Sequence, residues 1–117
     1  MTAQKQGDSK GDPRFVYVTA PSRAEALRIA RALVKDRLAA SANVLGGARS
    51  VYWWRGKMAE ADEAVMVAKT RAGLVGKLIR RVKSLHSYTC PAIMALPILN
   101  GNPDYLKWID AVTREKK

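Results

Sequence analysis

The chain holds one histidine and one cysteine, His86 and Cys90, four residues apart. Imidazole and thiolate both suit copper, so the pair is a candidate metal site. Two ligands from one chain are too few for a closed tetrahedral shell, and further copies would have to complete it. A competing reading makes Cys90 a small buried residue before Pro91. It gives His86 the end of a helix, where a cation gains about 0.3–1 kcal/mol. Asp62 and Glu63 are adjacent carboxylates, either metal ligands or a solvated strand start pairing with arginines of a neighbouring copy. Trp53 and Trp54 point to opposite faces of a strand, because side chains alternate. One is expected in the core and the other at a subunit interface or ligand cleft. No Ser/His/Asp set, H-E-x-x-H, P-loop or G-x-G-x-x-G is present, and Thr19–Arg23 makes a poor phosphate cradle. Catalysis is therefore not expected.

Length and composition frame this chemistry. One hundred and seventeen residues suit one domain, and 48% hydrophobic with 26% charged residues is globular composition. A single cysteine forms no internal disulfide, and no apolar run nears the roughly 20 residues of a membrane helix. The leader Met1–Pro13 is polar and has no apolar signal core, so it reads as disordered, with the domain at 14–117. A reduced, cytoplasmic protein without membrane contact is expected. The net charge is +11, of which Ser22–Arg37 supplies +3 and Thr70–Leu85 supplies +5. A balance of this size raises a basic nucleic-acid-binding protein as the alternative function. Against it, the cations lie on helices without interleaved aromatics, and no RNP1 motif exists. A solvated basic helix face is the simpler reading.

The elements that must position these residues follow from pattern. Arg14–Thr19 (RFVYVT) is a strand that ends before Pro21. Ser22–Leu38 is a helix: Ser22 and Glu25 form an S-x-x-E capping box, and Ala26, Leu27, Ala30, Leu33, Val34 and Leu38 keep helical spacing. Ser41–Trp54 is a long strand with a bulge or bend at Gly46-Gly47. Arg55-Gly56-Lys57 turns it into a returning strand at Ala61–Lys69. Thr70 is the expected N-cap of a helix running to Leu85, with Leu74, Val75, Leu78, Ile79, Val82 and Leu85 as its stripe. Ala92–Ile98 is a fourth strand, whose Pro97 belongs at an edge or strand end. Asn102 and Pro103 suit the N-cap and first position of a last helix carrying Tyr105, Leu106, Trp108, Ile109 and Val112.

The order β-α-β-β-α-β with an added C-terminal helix is the split βαβ pattern of a ferredoxin-like α+β domain. Both main helices should cover one face of a four-stranded antiparallel sheet. The other face has no helix large enough to cover it. Trp53, Met66 or their neighbours are then expected to face water or another subunit, and oligomerisation follows.

The stretches Phe15–Pro21 (FVYVTAP), Arg37–Asn43 (RLAASAN), Arg49–Lys57 (RSVYWWRGK), Lys69-Thr70, Leu85–Ile93 (LHSYTCPAI) and Leu96–Leu106 (LPILNGNPDYL) together resemble the CutA family of divalent-cation tolerance proteins. The resemblance covers nearly all of 14–112, with the blocks in order. It implies a ferredoxin-like protomer in a tight homotrimer, similar in architecture to the PII signalling proteins. It also implies a role in copper and divalent-metal tolerance through binding or signalling, with copper or another divalent cation as ligand and no organic cofactor. Binding clefts of the family lie between subunits, and the positions carried over here are Trp54, Lys69, His86 and Tyr88. The chain departs from the family pattern at Ser41 (often cysteine), Arg55 (commonly glutamate), Ser87 (proline), and Thr89 and Ala92 (both glutamate). A thiol and three carboxylates are thus missing, and Cys90 is a new thiol.

Overall fold

The structure, a computed structural model, describes residues 11–115. The expected leader lies outside the described residues up to position 10, whereas Asp12 and Pro13 already belong to the fold. The N–H of Ala72 donates to the Asp12 carbonyl at 2.8 Å, and Pro13 opens the first strand.

Burial alternates along β1 (Pro13–Ala20): Val16, Val18 and Ala20 are buried, with Phe15, Tyr17 and Thr19 half-buried between them. The chain continues through α1 (Arg23–Lys35), β2 (Ser41–Trp54), β3 (Lys57–Arg71), one 3-10 turn, α2 (Val75–Leu85), β4 (Ile93–Pro97) and α3 (Pro103–Arg114). The sheet order is β2-β3-β1-β4, and each neighbouring pair is antiparallel. This is the ferredoxin-like arrangement expected. Pro97 ends β4 at the sheet edge, where a missing N–H costs no ladder bond.

The core joins one sheet face to α1 and α2. Val16, Val18, Met66 and Ala68 from the sheet meet Ile29, Leu33, Leu78 and Val82 from the helices. Each large side chain there stabilises the fold by about 1.5–3 kcal/mol. Met66 is 1% exposed, so it does not lie on the uncovered face as expected. Its period-two partners Ala64, Ala68 and Thr70 are buried on the same side, under the helices.

Three further expectations are corrected. Thr70 is not a helix cap. Register with Arg14 carries β3 on to Arg71, and Thr70, fully buried, donates its Oγ–H to the Leu38 carbonyl at 2.7 Å. A 3-10 turn, Ala72–Leu74, intervenes, and α2 begins without a side-chain cap. Only half of the capping box forms: Ser22 Oγ accepts from the Glu25 N–H at 3.1 Å, while the Glu25 carboxylate turns to Ser87. Finally, the second sheet face has a helix of its own. Tyr105 and Thr113 of α3 bond Ser41 and Arg71, whose positions share the parity of that face. The N-cap of α3 is as expected, with Asn102 accepting from the Asp104 N–H at 3.0 Å. Leu45, Met94 and Leu96 on the same face remain exposed.

The β2–β3 hairpin closes through Arg55 and Gly56, both at positive φ (53° and 79°), as a two-residue turn of the I′ kind requires. The bulge falls at the expected glycines. Leu45 pairs with Val65 and Ala48 with Glu63, so Gly46 and Gly47 together oppose Ala64, with Gly47 at φ 85°. The extra residue inverts the parity of β2. Ser41, Asn43 and Leu45 share the second face with Val65, Val67 and Lys69. Beyond the bulge it is Ser50, Tyr52 and Trp54 that share it with Glu63.

Candidate functional site

A cleft of about 490 Å³ opens on the second face, where the hairpin meets the loop after α2. β1 contributes Thr19, β2 contributes Ser50, Tyr52 and Trp54, β3 contributes Glu63, and the loop contributes Tyr88, Thr89, Cys90 and Ala92. Glu63 is its polar centre. One carboxylate oxygen accepts from Ser50 Oγ at 2.6 Å, the other from the Tyr88 hydroxyl at 2.8 Å. Burial and the adjacent Glu63 carboxylate push the Tyr88 phenol up to about 12. A carboxylate has roughly four acceptor sites, so Glu63 keeps capacity for a further donor or cation.

His86 sits beneath this cleft and does not line it. Its side chain is fully buried. Nε2 lies 2.7 Å from the Thr19 carbonyl, and Nδ1 accepts the Tyr88 N–H at 3.1 Å. One tautomer, protonated on Nε2, satisfies both bonds, as assigned from the partners. The ring packs against Tyr88 at 4.9 Å between centroids. His86 also caps the end of α2 through its own N–H to Val82, so it fastens helix, strand and cleft loop together. A metal on either nitrogen would displace one of these bonds. Cys90 is exposed on the cleft, contrary to the reading that buried it before Pro91. Among the described residues no group of three or more His, Cys, Asp and Glu side chains is placed to hold a metal ion.

Beside His86, Glu25 accepts both the N–H and the Oγ–H of Ser87, at 2.8 and 3.0 Å. Burial alone would raise its pKa. The two Ser87 bonds and the charge of Arg28 outweigh that and hold it below the ordinary carboxylate value. Proline at 87 would supply neither donor. The sequence departure there is therefore what ties the loop to α1.

Of the four cleft positions carried over, Trp54 and Tyr88 line the cleft, His86 supports it, and Lys69 lies apart. The Lys69 ammonium donates to Asn43 Oδ1, and burial lowers its pKa. Neither tryptophan is in the core: Trp53 is 76% and Trp54 52% exposed. Beyond the bulge the loop at Tyr88 reaches Glu63, but the large side chains at the hairpin tip stay exposed. The guanidinium of Arg55 covers the Trp54 ring at 5.5 Å, a cation–π contact. On the opposite hairpin face Trp53 stands with Val51 and Met58, all exposed. Asp62 pairs within its own chain, to Arg49 at 2.9 Å, and Glu60 joins the same guanidinium at 3.3 Å. Sequence reasoning missed Ser50, Tyr52 and Thr19. Period two traced back from Trp54, with the bulge counted, would have found the first two and linked them to Glu63.

A family model described as CutA1 divalent ion tolerance protein matches residues 14–112. A divalent-cation tolerance protein CutA from Thermus thermophilus is 47% identical over 94 residues, covering 80% of this chain and 91% of that protein. The chloroplastic protein CutA 1 of Oryza sativa is 42% identical over 86% of this chain, and the chain spans 56% of that longer protein. The solved structure of the periplasmic divalent cation tolerance protein CutA from Archaeoglobus fulgidus superposes with a TM-score of 0.84 at 42% identity, covering 87% of this chain and 99% of that one.

Proposed function

The chain belongs to the CutA1 divalent ion tolerance family, and on that premise we propose that it is a homotrimeric, non-catalytic binding protein for copper or another divalent cation. The cleft carries this reading. It offers a Glu63 carboxylate with no ion pair among the described residues and a free Cys90 thiol, both lining one cleft. One protomer supplies too few ligands, so copies of the chain complete the shell, and a response to the ion passes through their contacts. Cys90 acts as ligand. His86 acts as the positioning residue that holds the Tyr88 loop. Assembly is supported by apolar side chains left bare on the protomer: Leu45, Met94 and Leu96 on the second face, and Val51, Trp53 and Met58 on the hairpin. The edges of β2 and β4, unpaired among the described residues, add two strands that a copy can extend. A reducing compartment such as the cytoplasm suits a lone exposed thiol.

Light scattering tests assembly, with a mass near 39 kDa expected, three times the 12.9 kDa of the chain. Calorimetric titration with Cu²⁺ tests the site. Cys90→Ser and Glu63→Gln should each weaken binding about tenfold or more, whereas binding that persists unchanged in both dismisses the cleft as the metal site. Loss of binding in His86→Ala without loss of the loop structure would return the ligand role to His86.

A further inference from the structure

The cleft does not account for the charge of +11, which is unevenly placed. α1 and α2 lie side by side: Arg28 donates to the Leu85 carbonyl at 3.3 Å, and Arg81 meets Asp36 at 3.4 Å. The buried positions of α1 (Ala26, Ile29, Ala30, Leu33) and α2 (Leu78, Val82) face the sheet. At 3.6 residues per turn, Arg28, Arg31 and Lys35 fall opposite that buried side of α1, and Lys77, Arg80 and Lys83 fall on the outer side of α2. All six are exposed. The two acids on this layer, Glu25 and Asp36, are occupied by Ser87 and Arg81.

We infer that the outer surface of α1 and α2 binds the phosphate backbone of duplex nucleic acid without reading its sequence. The row from Arg28 to Lys35 is about 10 Å long at 1.5 Å per residue, and the row from Lys77 to Lys83 about 9 Å. Packed helices lie roughly 8–10 Å apart, so six cations occupy a patch about 10 Å on a side. A duplex carries one charge per about 1.7 Å of axis, hence about six over the same length. The densities match. Neither helix carries an aromatic residue, so no base is stacked and no step is wedged open. Contacts to phosphate alone position the duplex and carry no sequence information. An anionic membrane would call for apolar side chains beside the cations, and the large apolar side chains of these helices mostly point into the core. Three of the six cations are arginines, whose planar forks suit phosphate oxygens. The inference does not depend on the cleft or on a metal.

Fluorescence anisotropy with a labelled 30-base-pair duplex tests it on the full chain. If about five phosphates are engaged, affinity should fall roughly 500-fold between 50 and 200 mM salt. Neutralising two cations in Arg31→Gln/Arg80→Gln should reduce that fall to about 40-fold. Lys57→Gln/Lys107→Gln, which removes the same charge elsewhere, should leave it unchanged. Duplexes of shuffled sequence should bind alike, and circular dichroism should show all variants folded. The proposal is overturned by absence of binding at 50 mM salt. It is also overturned by equal effects of the two double variants, or by preference for polyglutamate or phosphatidylserine vesicles over the duplex.

Discussion

The two halves of the β2–β3 hairpin are one continuous ladder with different surroundings. Between Ser41 and Leu45, and between Val65 and Lys69, the hairpin lies within the four-stranded sheet, under α1 on one side. Beyond Gly47 the strands pair, among the described residues, only with each other, and Val51, Trp53, Trp54 and Met58 are all more than half exposed. Apolar residues that face α1, such as Val44, Met66 and Ala68, thus stabilise the protomer in the first half, whereas residues of similar hydrophobicity present an uncovered surface in the second. Strand pairing alone does not create a core, because a core needs a second layer.

Four substitutions would break or sharpen that contrast. Leu78→Ala, in the covered body, should cost about 2–5 kcal/mol in chemical denaturation. Trp53→Ala should leave the secondary structure intact and instead lower the assembled mass seen by light scattering; a core-sized loss of protomer stability would contradict the contrast. Gly47→Val sits at the boundary, where φ is 85°. A branched side chain in the left-handed region should cost about 1–2 kcal/mol, and Gly46→Val, without a positive φ, should cost less.

A further test concerns pH. The Glu25 carboxyl titrates below its ordinary value of 4.5, because the Ser87 bonds and Arg28 together outweigh its burial. Its stabilisation is complete above that ordinary value and is lost as pH falls through the lower folded one. Thermal midpoints followed from pH 6 to 3 should therefore decline more steeply in the parent than in Glu25→Gln or Ser87→Pro. Parallel curves would detach the loop anchor from Glu25. The smallest effect lies in the cleft wall, where the Tyr88 phenol is held near 12 instead of 10. Its contribution is complete below pH 10 and fades as pH rises through 12. Absorbance titration of Glu63→Gln should show that phenol ionising earlier.

The fold was largely legible because its signals are local. Alternating Val16, Val18 and Ala20, the helical stripe of Leu78 and Val82, and Asn102-Pro103 before α3 each lie within a few residues. Thr70 misled for the same reason: a threonine before a helical stripe looks like a cap, and only the ladder with Arg14 shows that β3 continues through it. The cleft was half legible. Trp54 and Tyr88 entered through resemblance to a known family, but Glu63 became the partner of Tyr88 only across a separation of 25 residues.

What the sequence by itself determined is the element order, the bulge at paired glycines, the N-caps of α1 and α3, the basic balance and the family. These depend on spacing along the chain and on backbone chemistry within a turn or two. Tertiary structure alone decided that His86 spends both nitrogens inside the fold, that Glu25 leaves its capping box for Ser87, and that α3 covers part of the second face. Such outcomes join residues as much as 67 positions apart. Close packing chooses among several satisfactory local partners, and that choice does not exist until the layers meet.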